Sequence, residues 1–182
     1  MEAITYLLRF IFDTLLMLLM LRVWLQAVRA DFYNPICQFI VKVTNPLVIP
    51  ARRVIPSMGS VDLATLILAL LVVTLKFVVI PSLNGAPFDI LASLYYGSLS
   101  LVKQAGVLLF MVILIMAIMS WVIQGYNPTY QIFQQLTEPF LRRIRSIIPP
   151  IAGIDLSVLI MFLLLNMLNI FLSNLIPYWA IL

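Results

Sequence analysis

The sequence predicts an all-α membrane protein with about four transmembrane helices, arranged as two parallel two-helix repeats. Two observations predict this class: the composition is strongly apolar, and one motif pattern occurs twice in a constant register. Hydrophobic residues make up 64% of the 182 residues and charged residues only 10%, whereas a soluble domain has about 45–50% apolar and about 25% charged residues. So few charges cannot cover a surface that faces water, so we expect lipid to be the solvent.

Composition also limits the chemistry that the chain can perform. It has no histidine and a single cysteine, Cys37. A histidine base, a zinc site of the Cys/His type and a disulfide within the chain are therefore excluded. The 11 basic residues outnumber the 7 acidic ones but lie between apolar runs, which indicates membrane orientation and no nucleic-acid binding. We expect no enzyme activity, no cofactor and no metal.

Four apolar stretches are about as long as the 20 residues that a transmembrane helix needs. They cover residues 4–28, 61–80, 105–123 and 156–176. The connection at 81–101 has no Lys or Arg, whereas the segments 29–60 and 124–153 are basic. The positive-inside rule then predicts that both basic loops are cytoplasmic and that both termini lie on the outer face.

The two halves of the chain align without a gap from Asn34 onward. Asn34-Pro35 recurs 93 residues later as Asn127-Pro128, and the same offset relates further pairs. These pairs include Thr44 and Thr137, Pro46 and Pro139, Arg52 and Arg145, and Asp62-Leu63 and Asp155-Leu156. The sequence therefore predicts two repeats, at 1–90 and 91–182, related by an axis along the membrane normal because each returns the chain to its starting side.

Each basic loop is predicted to contain interfacial helices. Asn before Pro is a good helix start, and a second, Pro-flanked helix is predicted at 139–148 with arginines and aliphatics on separate faces. In the first copy, Pro50 is expected to shorten or kink the corresponding helix.

These motifs resemble the YggT family, and the resemblance covers nearly the whole chain. It rests on the paired Asn-Pro, on Pro46-Leu-Val-Ile-Pro-Ala-Arg-Arg-Val-Ile-Pro56 with Asp62-Leu63, and on the second copy at 139–156. Members commonly have Ser-Pro after Asp-Leu, whereas this chain has Ala64-Thr65 and Ser157-Val158. The resemblance implies a bacterial inner-membrane protein. It links plastid relatives to cytochrome b6 haem assembly and bacterial ones to osmotic or ion homeostasis and cell division, and it provides no catalytic residues.

Three groups of residues are candidates for function. Asp62 and Asp155 are predicted helix N-caps, with cation or proton binding as the alternative. A basic group is expected to contact either a partner protein or lipid headgroups; it comprises Arg52, Arg53, Arg142, Arg143 and Arg145. A polar cluster within the membrane is the third, with Asp13 paired to Arg9 or Lys76; it comprises Arg9, Asp13, Lys76, Asn166 and Asn169. Alternatively, Lys76 extends to the membrane surface and the asparagines bond neighbouring helices.

We expect a non-catalytic accessory or assembly protein that docks onto a larger integral membrane protein, such as a channel or transporter, linked to osmotic or ion homeostasis. A small oligomeric ion transporter or channel remains the alternative, since it would use the repeat and the polar cluster. A homo-oligomer is compatible with both.

Overall fold

The computed structural model describes residues 2–55, 62–85, 87, 89–123, 125–149 and 155–182. Within these residues the chain forms six α-helices and a short terminal 3-10 helix. They are α1 (Glu2–Ala27), α2 (Pro35–Val54), α3 (Leu63–Leu83), α4 (Ile90–Val122), α5 (Pro128–Arg145), α6 (Ser157–Leu175) and the 3-10 helix Trp179–Ile181. Helices α1, α3, α4 and α6 are long and apolar enough to cross a membrane. The protein is therefore a multi-pass, all-α membrane protein, as predicted.

The first repeat is built on the antiparallel pair α1 and α3. Leu16 and Leu19 of α1 are buried against Val72 and Val73 of α3, and Val48 of α2 joins the same cluster. Helix α2 thus lies against both spans with a buried face of its own. That buried face consists of Cys37, Ile40, Thr44 and Val48.

Helix α2 is continuous through Pro46 and Pro50 and is not shorter than α5, so the expected shortening at Pro50 is wrong. Both prolines are exposed, and the side chains on the opposite face are buried against α1 and α3. The packing of that face outweighs the backbone hydrogen bonds that the prolines remove. Helix α5 likewise continues through Pro139, so each basic loop holds one long helix instead of the two predicted.

Helix α4 begins at Ile90 and not near 105, so the predicted loop at 81–101 is mostly helical. Its first half packs on α3: the Ser93 hydroxyl donates to the carbonyl of Phe77, 3.2 Å away. Its second half packs on α5 and α6, with Ile113 fully buried in that cluster. Helix α4 therefore belongs to both repeats, and the predicted boundary at 90/91 falls at its first residue.

Candidate functional site

Each repeat closes its basic loop with an arginine–aspartate ion pair. Arg52 Nη2 lies 2.6 Å from Asp62 Oδ2, and Arg145 Nη2 lies 2.7 Å from Asp155 Oδ2. The arginine precedes its aspartate by ten residues in both repeats. Arg52 and Arg145, expected to contact a partner or lipid, are thus ion-paired within the chain, whereas the remaining three arginines have no ion pair among the described residues. Those three are Arg53, Arg142 and Arg143.

Both aspartates also bind the start of the following helix. Asp62 is the N-cap of α3, where it accepts the Thr65 N–H at 3.2 Å and also the Thr65 hydroxyl. Asp155 accepts the Ser157 N–H at 3.0 Å, but the N-cap residue of α6 is Leu156. Because Leu156 already has helical backbone angles, the bond from the Ser157 N–H to Asp155 is the capping contact predicted for this aspartate. Each carboxylate faces both an arginine and the positive end of a helix.

These contacts hold the aspartates in their charged form. Burial by itself would raise the pKa of the Asp62 carboxyl, but hydrogen bonds from Arg52 and Thr65 outweigh it and lower the pKa below its usual value. At Asp155 burial opposes a lowering of the pKa by Ser157 and Arg145 in the same way. A carboxylate that accepts this many hydrogen bonds serves mainly as a structural ion-pair partner. It binds a proton only at acidic pH.

A third ion pair joins the two spans of the first repeat. Lys76 Nζ of α3 lies 2.5 Å from Asp13 Oδ1 of α1. Asp13 is therefore paired with Lys76 and not with Arg9, whose side chain is exposed and has no hydrogen-bond acceptor among the described residues. An isolated charge within lipid is expensive, so this pair stabilises the α1–α3 contact as well as neutralising both groups.

The asparagines of α6 do not join that pair, so the predicted single polar cluster is wrong. Asn169 Oδ1 accepts the Trp179 indole N–H at 2.9 Å, and Lys103 Nζ of α4 donates to the Trp179 carbonyl at 2.7 Å. Helix α6 packs on α4 and α5, while Asp13 and Lys76 lie on α1 and α3. The repeat places Lys76 and Asn169 at equivalent positions, but equivalent positions of two repeats are not neighbours.

Two polar residues that sequence analysis left out are important here. Arg22 is 6% exposed, and its Nη1 donates to Thr44 Oγ1 at 2.6 Å and to Asn45 Oδ1 at 2.9 Å. Arg22 joins α1 to α2. The sequence signal available for this contact was Thr44, which recurs in the second repeat. Lys103 was missed because the helix was expected to begin after it.

The second repeat is less closely packed and has two open grooves. The three-helix groove, between α4, α5 and α6, has a volume of about 1670 Å³. Ile118, Trp121 and Phe162 provide apolar walls, and Gln134 and Arg142 provide polar ones. The two-helix groove, between α4 and α6, has a volume of about 800 Å³. It is mostly apolar, with Lys103, Asn166 and Asn169 as its polar side chains.

Among the described residues, no three Asp, Glu, Cys or His side chains lie close enough to hold a metal ion. Cys37 is fully buried, and burial, with a contribution from Asp31, raises the pKa of its thiol. Fold and site together define a multi-pass membrane protein of two helical repeats, each closed by an Arg–Asp pair.

Comparison with known proteins gives the family. The sequence profile described as CCB3/YggT matches residues 1–83 and 95–176, in two segments that correspond to the repeats. The chain belongs to the CCB3/YggT family.

Relatives are similar over nearly their whole length. The protein of the proC 3′ region of Vibrio alginolyticus is 50% identical over 182 residues, which cover 98% of each chain. YggT of Escherichia coli K12 is 44% identical, over 93% of this chain and 88% of the relative. PA0392 of Pseudomonas aeruginosa is 38% identical, over 94% of this chain and 89% of the relative. No solved structure matches this chain significantly.

Proposed function

We propose that this chain is a non-catalytic accessory protein of the bacterial inner membrane that docks onto a larger membrane protein through the two-helix groove. The observation that carries the proposal is Asn166, which is exposed on the apolar surface of α6 and lines that groove. Among the described residues its amide has no hydrogen-bond partner. An amide that faces hydrocarbon without a partner is unfavourable.

A transmembrane helix of another protein would satisfy that amide. Polar side chains between transmembrane helices contribute roughly 0.6–2 kcal/mol each through hydrogen bonds. The apolar walls of the groove, such as Phe110 and Leu163, would pack against the same helix. Asn169 and Lys103 are already bonded around Trp179, so they hold the groove's shape while Asn166 is available for recognition.

The charge distribution supports an orientation and a non-catalytic role. The exposed arginines Arg53, Arg142 and Arg143 lie where α2 and α5 end, which favours a cytoplasmic location for both loops and an outer location for both termini. The carboxylates of Asp13, Asp62 and Asp155 are engaged in ion pairs, which leaves few groups for catalysis. We connect the docked partner with osmotic or ion homeostasis, so a channel or transporter is the expected partner.

The experiment is purification of the tagged protein from its native membrane in gentle detergent, followed by mass spectrometry of the complex. We expect one larger integral membrane protein in fixed ratio. Asn166→Leu should reduce its recovery about tenfold, the equivalent of about 1.4 kcal/mol. Asn174→Leu is the matched control, since Asn174 is an exposed asparagine of the same helix outside the groove, and recovery should be unchanged.

Other results would favour the alternative, a small oligomeric ion transporter or channel. The Asp13–Lys76 pair within apolar helices is the feature that favours it. Absence of any larger partner, together with ion flux through liposomes that contain only this protein, would replace the accessory proposal with the transporter. Loss of flux in Asp13→Asn would then locate the pathway.

A further inference from the structure

The two repeats bury the same apolar stripe to very different extents. In α5 the stripe consists of Ile132, Leu136 and Phe140, and Ile132 and Leu136 are only 2% and 1% exposed. The equivalent positions of α2 are Phe39, Val43 and Leu47, which are 61%, 41% and 39% exposed. Both stripes are uncharged and aliphatic or aromatic, so side-chain chemistry does not account for the difference in exposure. The difference is that a neighbouring element covers the α5 stripe, whereas none of the described residues covers the α2 stripe.

The α5 stripe is covered by the first repeat, where α1 ends. Ile132 and Leu136 pack in one cluster with Leu25 and Cys37, and the rings of Trp24 and Phe140 meet edge to face at 5.7 Å. The starts of α2 and α5 also touch, since the Asn34 amide donates to the Pro128 carbonyl at 2.8 Å. The end of α1 is therefore the receiving surface for a stripe of this kind.

The second repeat has the same receiving surface, and there it is open. Counted back from the two Asn-Pro pairs, Ile118 of α4 takes the place of Leu25, since each lies nine residues before the Asn. Ile118 is 54% exposed, whereas Leu25 is 1% exposed. Trp121 takes the place of Val28 in the same count and is 88% exposed. Both residues line the three-helix groove. The contact between the repeats is thus head-to-tail: it uses the stripe of one repeat and the receiving surface of the other, and leaves one of each unused.

We propose that the α2 stripe of one copy docks on Ile118 and Trp121 at the three-helix groove of a second copy, forming a homodimer. In a twofold homodimer each chain would offer its open stripe to the other chain's open receiving surface, and the head-to-tail contacts would then close with four repeats in a ring. The occupant is a second copy because the chain already buries the corresponding α5 stripe on the corresponding surface at the end of α1. Large aromatic side chains such as Trp121 are also typical of buried contacts between proteins.

Cysteine cross-linking in native membranes tests this arrangement. In a Cys37→Ala background, Val43→Cys is expressed in one tagged chain and Ile118→Cys in a second chain with a different tag. A short thiol cross-linker should join the two chains in a large fraction of the protein. Neither variant alone should cross-link to itself, because a head-to-tail contact puts unlike positions together. Leu164→Cys on the exposed face of α6 replaces Ile118→Cys as the control and should give no product.

Several results would overturn the proposal. Cross-linking of Val43→Cys to itself would indicate α2 against α2, a different dimer. Failure of the Val43–Ile118 pair, with the mass of one chain in native mass spectrometry, would show that the stripe faces lipid. Asn166 lines the two-helix groove but not the three-helix groove, whereas Ile118 and Trp121 line only the three-helix groove, so Asn166→Leu should leave this cross-link unchanged. Failure of the dimer and failure of the accessory role are therefore distinguishable.

Discussion

Arg52 and Arg145 each fold a loop back onto the helix that follows it. The guanidinium reaches an aspartate that also accepts hydrogen bonds from the first turn of α3 or α6. One carboxylate therefore fixes both where the next helix begins and where the preceding amphipathic helix ends. The two copies differ in burial, since the Asp62 side chain is 0% exposed and that of Asp155 is 34% exposed.

That difference predicts unequal effects of the same substitution. Asp62→Asn keeps the size of the side chain and an acceptor for the Thr65 N–H but removes the charge that Arg52 binds. We expect a loss of about 1–3 kcal/mol in the free energy of unfolding. Asp155→Asn should cost about 1 kcal/mol or less, because its pair is more exposed to solvent. Thermal unfolding in detergent, followed by tryptophan fluorescence, measures both, and equal losses would contradict the role of burial.

The pH dependence of stability follows from the same pairs. Because the pKa of Asp62 is lowered in the folded protein, its pair contributes fully above the ordinary carboxyl pKa of about 4 and is lost as the pH falls through the folded-state value. The difference in melting temperature between the unmodified protein and Asp62→Asn should be constant between about pH 5 and pH 8 and should shrink below about pH 4. A difference that grows on acidification would refute the sign.

The sequence pattern predicted roles for Arg52, Arg145, Asp62 and Asp155 but not their pairing. The identical spacing in both repeats was the available signal, since a loop that closes on its own helix needs a fixed length. Contacts that do not recur at the same spacing in the other repeat were harder to predict. Asn169 meets Trp179, and Arg22 meets Thr44, only because of how helices pack.

At the scale of elements, α4 shows what a prediction of spans from hydropathy misses. It has 33 residues, about 50 Å at 1.5 Å per residue, whereas the hydrocarbon core is about 30 Å thick. Hydropathy located the second half, because that half is continuously apolar. The first half has small and polar side chains at Ser93, Gly97 and Ser100, all buried. It is helical because it packs on α3, which hydropathy does not register.

Gly97 is the residue that permits this packing. A Cβ there would lie 3.0 Å from Thr74 Oγ1 and 3.2 Å from Thr74 Cα. Gly97→Ala should therefore force α3 and α4 apart and lower the free energy of unfolding by about 1–3 kcal/mol. Gly106→Ala in the same helix is the control: a Cβ there meets nothing within 4 Å, so stability should be unchanged or rise by up to about 1 kcal/mol. Similar losses at both sites would mean that close approach at Gly97 is not required.

On the scale of the whole molecule, the class, the number of spans and the duplication were predictable because lipid constrains composition and because Asn, Pro and Asp positions recur in register. The asymmetry between the repeats was not predictable. The matching motifs suggested that equivalent helices have similar surroundings. In the described structure, however, the first repeat covers the apolar stripe of α5, whereas the equivalent stripe of α2 is exposed. Which helix is covered depends on the contact between the halves, and no local pattern encodes that contact.

Sidedness can be measured with the single cysteine removed. In a Cys37→Ala background, Ser82→Cys at the end of α3 should react with a membrane-impermeant maleimide added to the outer face. Arg143→Cys in α5 should react only after permeabilisation, as the positive-inside rule requires. The unmodified protein should scarcely react in either condition, because Cys37 is buried and the pKa of its thiol is raised. The reverse labelling of Ser82→Cys and Arg143→Cys would invert the proposed orientation.

Because α4 packs with α3 along its first half and with α5 and α6 along its second half, neither repeat is a self-sufficient folding unit. A chain that ended after α3 would expose the surface around Thr74, against which Gly97 of α4 packs closely. A protein made of one such repeat would need a neighbouring molecule to supply that surface. In this chain the second repeat is covalently attached, so the neighbour that α3 needs is always present.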